Sequence, residues 1–351
     1  MTAVSRLAFQ LAVRPPLSSS LLHQRALPTC RRPAAPRRRH GTRRQAPSAS
    51  YGTEGDAQAW SGFRTSGIRP KQSLGQNFLR DGNMVSRIVQ SFGAAVDELC
   101  PDAHVVEVGP GLGALTTRLV ERYPDMLAIE IDRRAVQYLH ENFDGLAVRH
   151  GDVLETDWPG VAAEVAKPLA VIGNLPYNIV SQILFSLLEA PSGTIGVAVV
   201  MMQKEVAERI AAKTRTKAYG ILSVVAQLYA KPRMLFKVPN TVFYPQPDVT
   251  SALVQFEFQL DECLDVRNTT LTRGLRTVVR TAFNQRRKVL RNSLRTLCEE
   301  KGVQLPDKWA RKRAEEVPPP EFVEMTRFLF EKELETPELV PLSDRPTTVW
   351  R

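Results

Sequence analysis

The chain is poor in metal ligands, and those it has are scattered. Its cysteines are Cys30, Cys100, Cys263 and Cys298, and its histidines are His23, His40, His104, His140 and His150. None of these shows the short spacings that hold zinc, so no metal site is expected. No apolar run approaches the ~20 residues needed to cross a bilayer, and no membrane partner is expected. No nucleophile stands beside a candidate base, which points to direct transfer chemistry rather than a covalent intermediate. The most informative absence is of acid. Residues 1–50 contain ten Arg but no Lys, Asp or Glu, and the first acid is Glu54.

That absence relocates the charge of the whole chain. The formal net charge is +10, from 47 basic and 37 acidic residues, so the excess belongs wholly to the ten leader arginines. The remaining 301 residues are balanced. An Arg-rich, acid-free start with Ser18-Ser19-Ser20, and apolar residues between Arg6 and Arg14, has the composition of an organellar transit peptide. Residues 1–65 are therefore expected to be a leader that directs the protein to a mitochondrion or plastid, the two not being separable by composition. The rival reading is a basic tail that binds nucleic acid.

From residue 66 to residue 258, short apolar runs alternate with helix-like segments, as in a parallel sheet covered by helices. Strands are expected at 104–108, 126–130, 146–150, 169–173, 195–202 and 252–258, with a weaker candidate at 233–237. Residues 259–335 read as a small helical domain and 336–351 as a tail. From Leu271 to Leu297 apolar residues recur at helical spacing, and between Val266 and Cys298 there are nine Lys or Arg without one acid. A solvated helix face usually mixes signs. The one-sided run suggests contact with an RNA backbone through Arg280, Arg286, Arg287, Lys288 and Arg291.

Four strand ends carry the chemistry. Val105-Val106-Glu107-Val108 runs into Gly109-Pro110-Gly111-Leu112-Gly113, where glycines let the backbone approach a ligand and the next helix offers unpaired N–H groups. The spacing is G-x-G-x-G, not the G-x-G-x-x-G of dinucleotide sites. Glu130 ends the next strand, 17 residues beyond Gly113, close to the ~20-residue offset of an acid that grips a ribose diol. Asp152 follows the third run, where it can accept from an adenine amino group or cap a helix. Together these features point to S-adenosylmethionine.

The fourth strand ends in Asn174-Leu175-Pro176-Tyr177. An adenine amino group is a poor nucleophile because its lone pair is delocalised into the ring. The Asn174 side-chain oxygen and the Leu175 carbonyl can each accept one of its hydrogens, localising the lone pair, while the Pro176 ring fixes the backbone and Tyr177 stacks on the base.

These motifs resemble those of the ribosomal RNA small-subunit adenine N6,N6-dimethyltransferases over about Lys71 to Leu329. Lys71-Gln72-Ser73-Leu74-Gly75-Gln76-Asn77-Phe78-Leu79 is similar to the family's N-terminal signature, and the resemblance implies that Asn77 and Leu79 line the cofactor pocket with Gly109, Gly111, Glu130, Asp152 and Asn174. Gln203–Arg209, Ala218–Val224 and Val242–Val249 also match. In the last of these, the resemblance makes Phe243 the ring opposite Tyr177 across the target base. Ala282–Lys288 resembles the family's basic helix. Ile221, where many members have Arg, and Pro318-Pro319-Pro320 depart from the pattern. The resemblance implies a Rossmann-like S-adenosylmethionine-dependent methyltransferase domain with a small helical C-terminal domain. It implies a monomer that methylates two adjacent adenosines near the 3′ end of small-subunit rRNA in a pre-ribosomal particle. A nucleic-acid-binding organellar transcription factor and a DNA adenine methyltransferase are the alternatives. Intact motifs disfavour the first, and the basic C-terminal segment with its Phe-x-Pro-x-Pro context disfavours the second.

Overall fold

The computed structural model describes residues 67–258 and 269–334, so the expected leader and tail lie outside it. Among the described residues there are nine strands: β1 (Phe78–Leu79), β2 (His104–Val108), β3 (Leu127–Glu130), β4 (Ala147–His150), β5 (Leu169–Asn174), β6 (Ile195–Gln203), β7 (Ala230–Val238), β8 (Phe243–Tyr244) and β9 (Ser251–Phe258). Seven form one sheet in the order β4-β3-β2-β5-β6-β9-β7, while β1 and β8 pair as a separate antiparallel ribbon. The sheet is parallel except at β9, which runs against both of its neighbours. This modifies the purely parallel reading. Residues 239–250 connect β7 to β9 without an α-helix, and a return that lacks a crossover helix pairs antiparallel.

Alternation along each strand divides the interior into two cores. Val106, Val108, Leu127, Ile129, Leu169 and Val171 face one side. Val105, Ala128, Ala170, Ile172, Val197 and Val199 face the other. The second core is covered by α1 (Gly82–Leu99), α2 (Thr116–Arg122) and α3 (Arg133–Asn142), through Val85, Ile88, Phe92, Leu119 and Leu139. In α1 these apolar residues fall three or four apart, and Asp81 caps the helix by accepting from the Met84 N–H at 2.7 Å.

The first core holds α4 (Trp158–Val165), α5 (Val180–Leu188), α6 (Lys204–Ile210) and α7 (Ile221–Tyr229). It also receives the C-terminal elements α8 (Thr269–Asn284), α9 (Leu290–Ser293), α10 (Arg295–Lys301), α11 (Asp307–Ala310), α12 (Pro319–Leu329) and α13 (Glu331–Leu334). Leu275, Val278, Val279 and Ala282 of α8 pack with Phe322, Met325 and Leu329 of α12, continuous with the sheet's own apolar face. Pro319 and Pro320 begin α12, where a missing N–H costs nothing. The helical spacing read from Leu271 to Leu297 is divided among α8, α9 and α10, with α8 ending at Asn284. Val289 bridges to Arg313, and the Leu290 N–H donates to the Lys312 carbonyl at 2.8 Å, which captures the backbone in a turn. None of the described helices is long and apolar enough to cross a membrane.

Candidate active site

A cavity of about 260 Å³ opens at the carboxyl ends of β2, β3, β4 and β5. Strand order reverses between β2 and β5, the place where open α/β sheets bind ligands. Asn77, Leu79, Gly109, Gly111, Glu130, Asp152 and Asn174 all line the cavity, so the cofactor residues inferred from the motifs converge on one volume. Gly109 and Gly111 have φ of +66° and +58°, and a Cβ at Gly111 would lie 2.8 Å from the Phe78 ring. The loop needs glycine there for both conformation and space.

The lining contains three acidic side chains, Glu107, Glu130 and Asp152, and no Lys, Arg or His. Such a pocket suits a cation. Glu130 is buried, and its carboxylate accepts from the backbone N–H groups of Gly111 at 3.0 Å, Ile131 at 2.9 Å and Asp132 at 2.8 Å. Burial raises its pKa, and those three bonds partly offset the rise. Asp152 uses one oxygen to cap the turn after β4, accepting from the Leu154 N–H at 2.9 Å, so capping and pocket lining coexist in one side chain.

Asn174 is half-buried, and its amide nitrogen donates to the Asn77 carbonyl at 2.8 Å. That bond orients the group, leaving the side-chain oxygen as the atom available to accept. Among the described residues nothing donates to the Leu175 carbonyl, the second expected acceptor. The Leu175 side chain is buried, and its N–H donates to the Met201 carbonyl at 3.2 Å. Tyr177 is half-buried outside the cavity lining, with its hydroxyl 2.5 Å from Ser251 Oγ. Gly173 does not serve the pocket. A Cβ there would sit 2.6 Å from the Val108 carbonyl oxygen, so glycine lets β2 and β5 approach.

A family model described as "Ribosomal RNA adenine dimethylase" matches residues 67–330. A "Ribosomal RNA small subunit methyltransferase A" from Salinibacter ruber is 52% identical over 263 residues, 75% of this chain and 86% of the relative. Another so named, from Prosthecochloris aestuarii, is 43% identical over 66% of this chain and 84% of its own. The chain belongs to the ribosomal RNA adenine dimethylase family. It is an S-adenosylmethionine-dependent methyltransferase with the Rossmann-like fold of that class. Two solved structures share the fold. A dimethyladenosine transferase from Plasmodium falciparum is 22% identical, with a TM-score of 0.56, over 72% of this chain and 97% of that one. The 23S rRNA methyltransferase ErmE is 27% identical, with a TM-score of 0.51, over 72% of this chain and 99% of that one.

Within this dimethylase the ring expected opposite Tyr177 needs correction. Phe243 is 0% exposed and belongs to the core with Leu79, Val242 and Leu253, because β8 pairs with β1 and turns Phe243 inward. The aromatic that this motif presents outward is Tyr244, 42% exposed. Glu107 is the acid of the lining that the motifs did not single out. Its signal was a lone charge within an apolar strand that enters the glycine loop. It is fully buried, accepts from Thr116 Oγ1 at 2.7 Å, and burial pushes its pKa up to about 8.

The basic C-terminal run is also rearranged. Among the described residues, four of its cations are paired with acids beyond the run: Arg276 with Glu189, Arg286 with Glu315 (2.8 Å), Arg291 with Asp307 (3.2 Å) and Arg295 with Glu299 (3.1 Å). Arg287 and Lys288 are exposed, on the turn after α8 rather than on a helix, and Arg280 is exposed on α8 itself. No ion pair joins these three to an acid among the described residues.

Proposed function

We propose that this chain transfers methyl groups from S-adenosylmethionine to N6 of two adjacent adenosines near the 3′ end of small-subunit rRNA, giving N6,N6-dimethyladenosine, during organellar ribosome assembly. The observation that carries the reading is the fixed amide of Asn174 at the mouth of an acid-lined cavity. S-adenosylmethionine supplies an already activated methyl group on a sulfonium, so the chain needs no strong acid or base. Glu130 holds the ribose and Asp152 the adenine of the cofactor, while Gly109 and Gly111 bring backbone close to its methionine end. Asn174 Oδ1 and the Leu175 carbonyl accept the two hydrogens of the target amino group, concentrating its lone pair toward the methyl. Tyr177 stacks on an adenine drawn out of its strand. Arg280, Arg287 and Lys288 supply phosphate contacts that set register without reading sequence.

The substrate is small-subunit rRNA, in keeping with the names of the curated relatives, and on our reading it is presented in a pre-ribosomal particle. The organellar setting is supported by the acid-free leader. Two methyl groups on N6 leave no hydrogen to donate to thymine O4, so reverse transcription stops at each modified base. Primer extension on mitochondrial and plastid small-subunit rRNA is expected to show two adjacent stops near the 3′ end that vanish when this protein is lost. Persistence of both stops in both organelles would refute the assignment.

A further inference from the structure

Arg286 sits among the free cations in sequence but is committed in space. Its Nε donates to Glu315 Oε2 at 2.8 Å, and its terminal nitrogens donate to the carbonyls of Lys217 at 2.8 Å and Thr216 at 2.9 Å. Three of the five guanidinium donors are thus used within the protein. Those carbonyls belong to the α6–α7 loop, 211–220, which carries Lys213, Arg215 and Lys217 with all three residues exposed. None of the three is paired with an acid among the described residues. The acids of neighbouring α6 are occupied, Glu205 by Arg209 and Glu208 by Lys204 at 2.9 Å, and Glu316 caps the Arg313 N–H at 2.7 Å.

The loop needs outside support. Arg215 has φ of +64°, a left-handed conformation that a residue with a Cβ adopts rarely. Its N–H donates to the Glu315 carbonyl at 2.7 Å, and the Arg286 bonds hold the next two carbonyls. At the far end of the loop Tyr219 is buried, with its ring 6.0 Å from Phe283 and its hydroxyl donating to the Val317 carbonyl at 2.9 Å. Every one of these partners comes from the C-terminal helical region.

We infer that Arg286 and Glu315 form a staple that joins two basic segments, Lys213–Lys217 of the methyltransferase sheet region and Arg287–Lys288 of the C-terminal region, into one continuous track for an RNA backbone. Arg286 is a positioning residue that shapes the track, and its neighbours touch the phosphates. This rests on the RNA-substrate reading above and adds to it a second contact segment and the device that holds it. The α6–α7 loop lies one short helix beyond β6, whose residue Met201 pairs with Asn174 in the sheet. The staple therefore also fixes the RNA track relative to the catalytic tetrapeptide.

The test turns on a sign. Glu315→Ala removes a negative charge, so simple Coulomb attraction predicts RNA binding that is unchanged or tighter. Loss of the staple predicts the opposite. The full chain would be titrated with small-subunit particles lacking the two dimethylated adenosines, at several salt concentrations. The expected result is several-fold weaker binding for Glu315→Ala. The Lys213→Gln, Arg215→Gln, Lys217→Gln triple variant should lower the magnitude of the log–log salt slope by about 2–3, and Arg287→Gln with Lys288→Gln by about 1–2. Arg286→Gln should lower it by more than the single contact its own charge could make. Glu315→Ala binding as tightly as wild type or tighter, or an unchanged slope for the loop triple variant, overturns the staple. If the Arg287, Lys288 pair still lowers the slope in that case, the RNA reading itself survives. Melting temperature and S-adenosylmethionine affinity, measured on each variant, separate a misfolded protein from a disconnected track.

Discussion

Burial opposes ionisation of both Glu107 and Glu130, and the Glu130 charge adds to that opposition at Glu107. With burial holding the Glu107 pKa near 8, the folded protein keeps a proton there that the unfolded chain releases near the ordinary value of 4.5. A raised carboxyl pKa gives stability that is complete below the unfolded value and is lost as pH rises through the folded one. Melting temperature without ligand should therefore fall as pH rises from about 5 to about 8, and Glu107→Gln should flatten that fall. A cationic ligand reverses the preference by favouring the carboxylate. Binding of S-adenosylmethionine near neutral pH should release a fraction of a proton, measured by titration calorimetry in two buffers of different ionisation enthalpy. Identical heats in both buffers would show that binding leaves the protonation of Glu107 unchanged and would overturn this expectation.

The segment Lys71–Leu79 closes one side of the pocket, and its attachment is concentrated at Asp132. That carboxylate accepts from Arg134 Nε at 3.1 Å and Nη2 at 2.6 Å, from Lys71 Nζ at 3.3 Å and from Gln76 Nε2 at 3.1 Å. Arg134 foremost holds its pKa well below the usual carboxylate range. Asp132→Ala should release the segment, raising amide hydrogen exchange over 71–79 and weakening S-adenosylmethionine binding by roughly tenfold. Unchanged exchange there would mean that pairing of β1 with β8 is enough to hold it.

The latch also marks the limit of what could be read from the chain. The strands, the glycine loop, Glu130, Asp152 and Asn174 were legible because each rests on a local pattern of apolar period and terminal residue. Nothing local announces that Gln76 meets Asp132, or that Leu79 pairs with Phe243 and so hides the ring expected to face the base. Equally, the run from Val266 to Cys298 looks unopposed only along the chain. Glu315, 29 residues beyond Arg286, supplies an acid that no window of the sequence displays.

For the protein as a whole, the charge asymmetry is confined to one end of the sequence. The ten arginines of residues 1–50 contribute the entire net charge, and the other 301 residues are balanced overall. Residues 1–50 fused to a fluorescent reporter should therefore carry it into a mitochondrion or plastid, and nuclear or diffuse cytosolic signal would favour the basic-tail reading. The central claim, that Asn174 prepares an adenine amino group for methylation beside this pocket, is met most directly in a purified reaction. Wild type and Asn174→Ala would each be incubated with S-adenosylmethionine and unmethylated small-subunit particles, and the nucleosides measured by mass spectrometry. N6,N6-dimethyladenosine is predicted from wild type, and little or none from a variant that still binds the particle. Near-normal dimethyladenosine from Asn174→Ala, or none from wild type, would contradict the account.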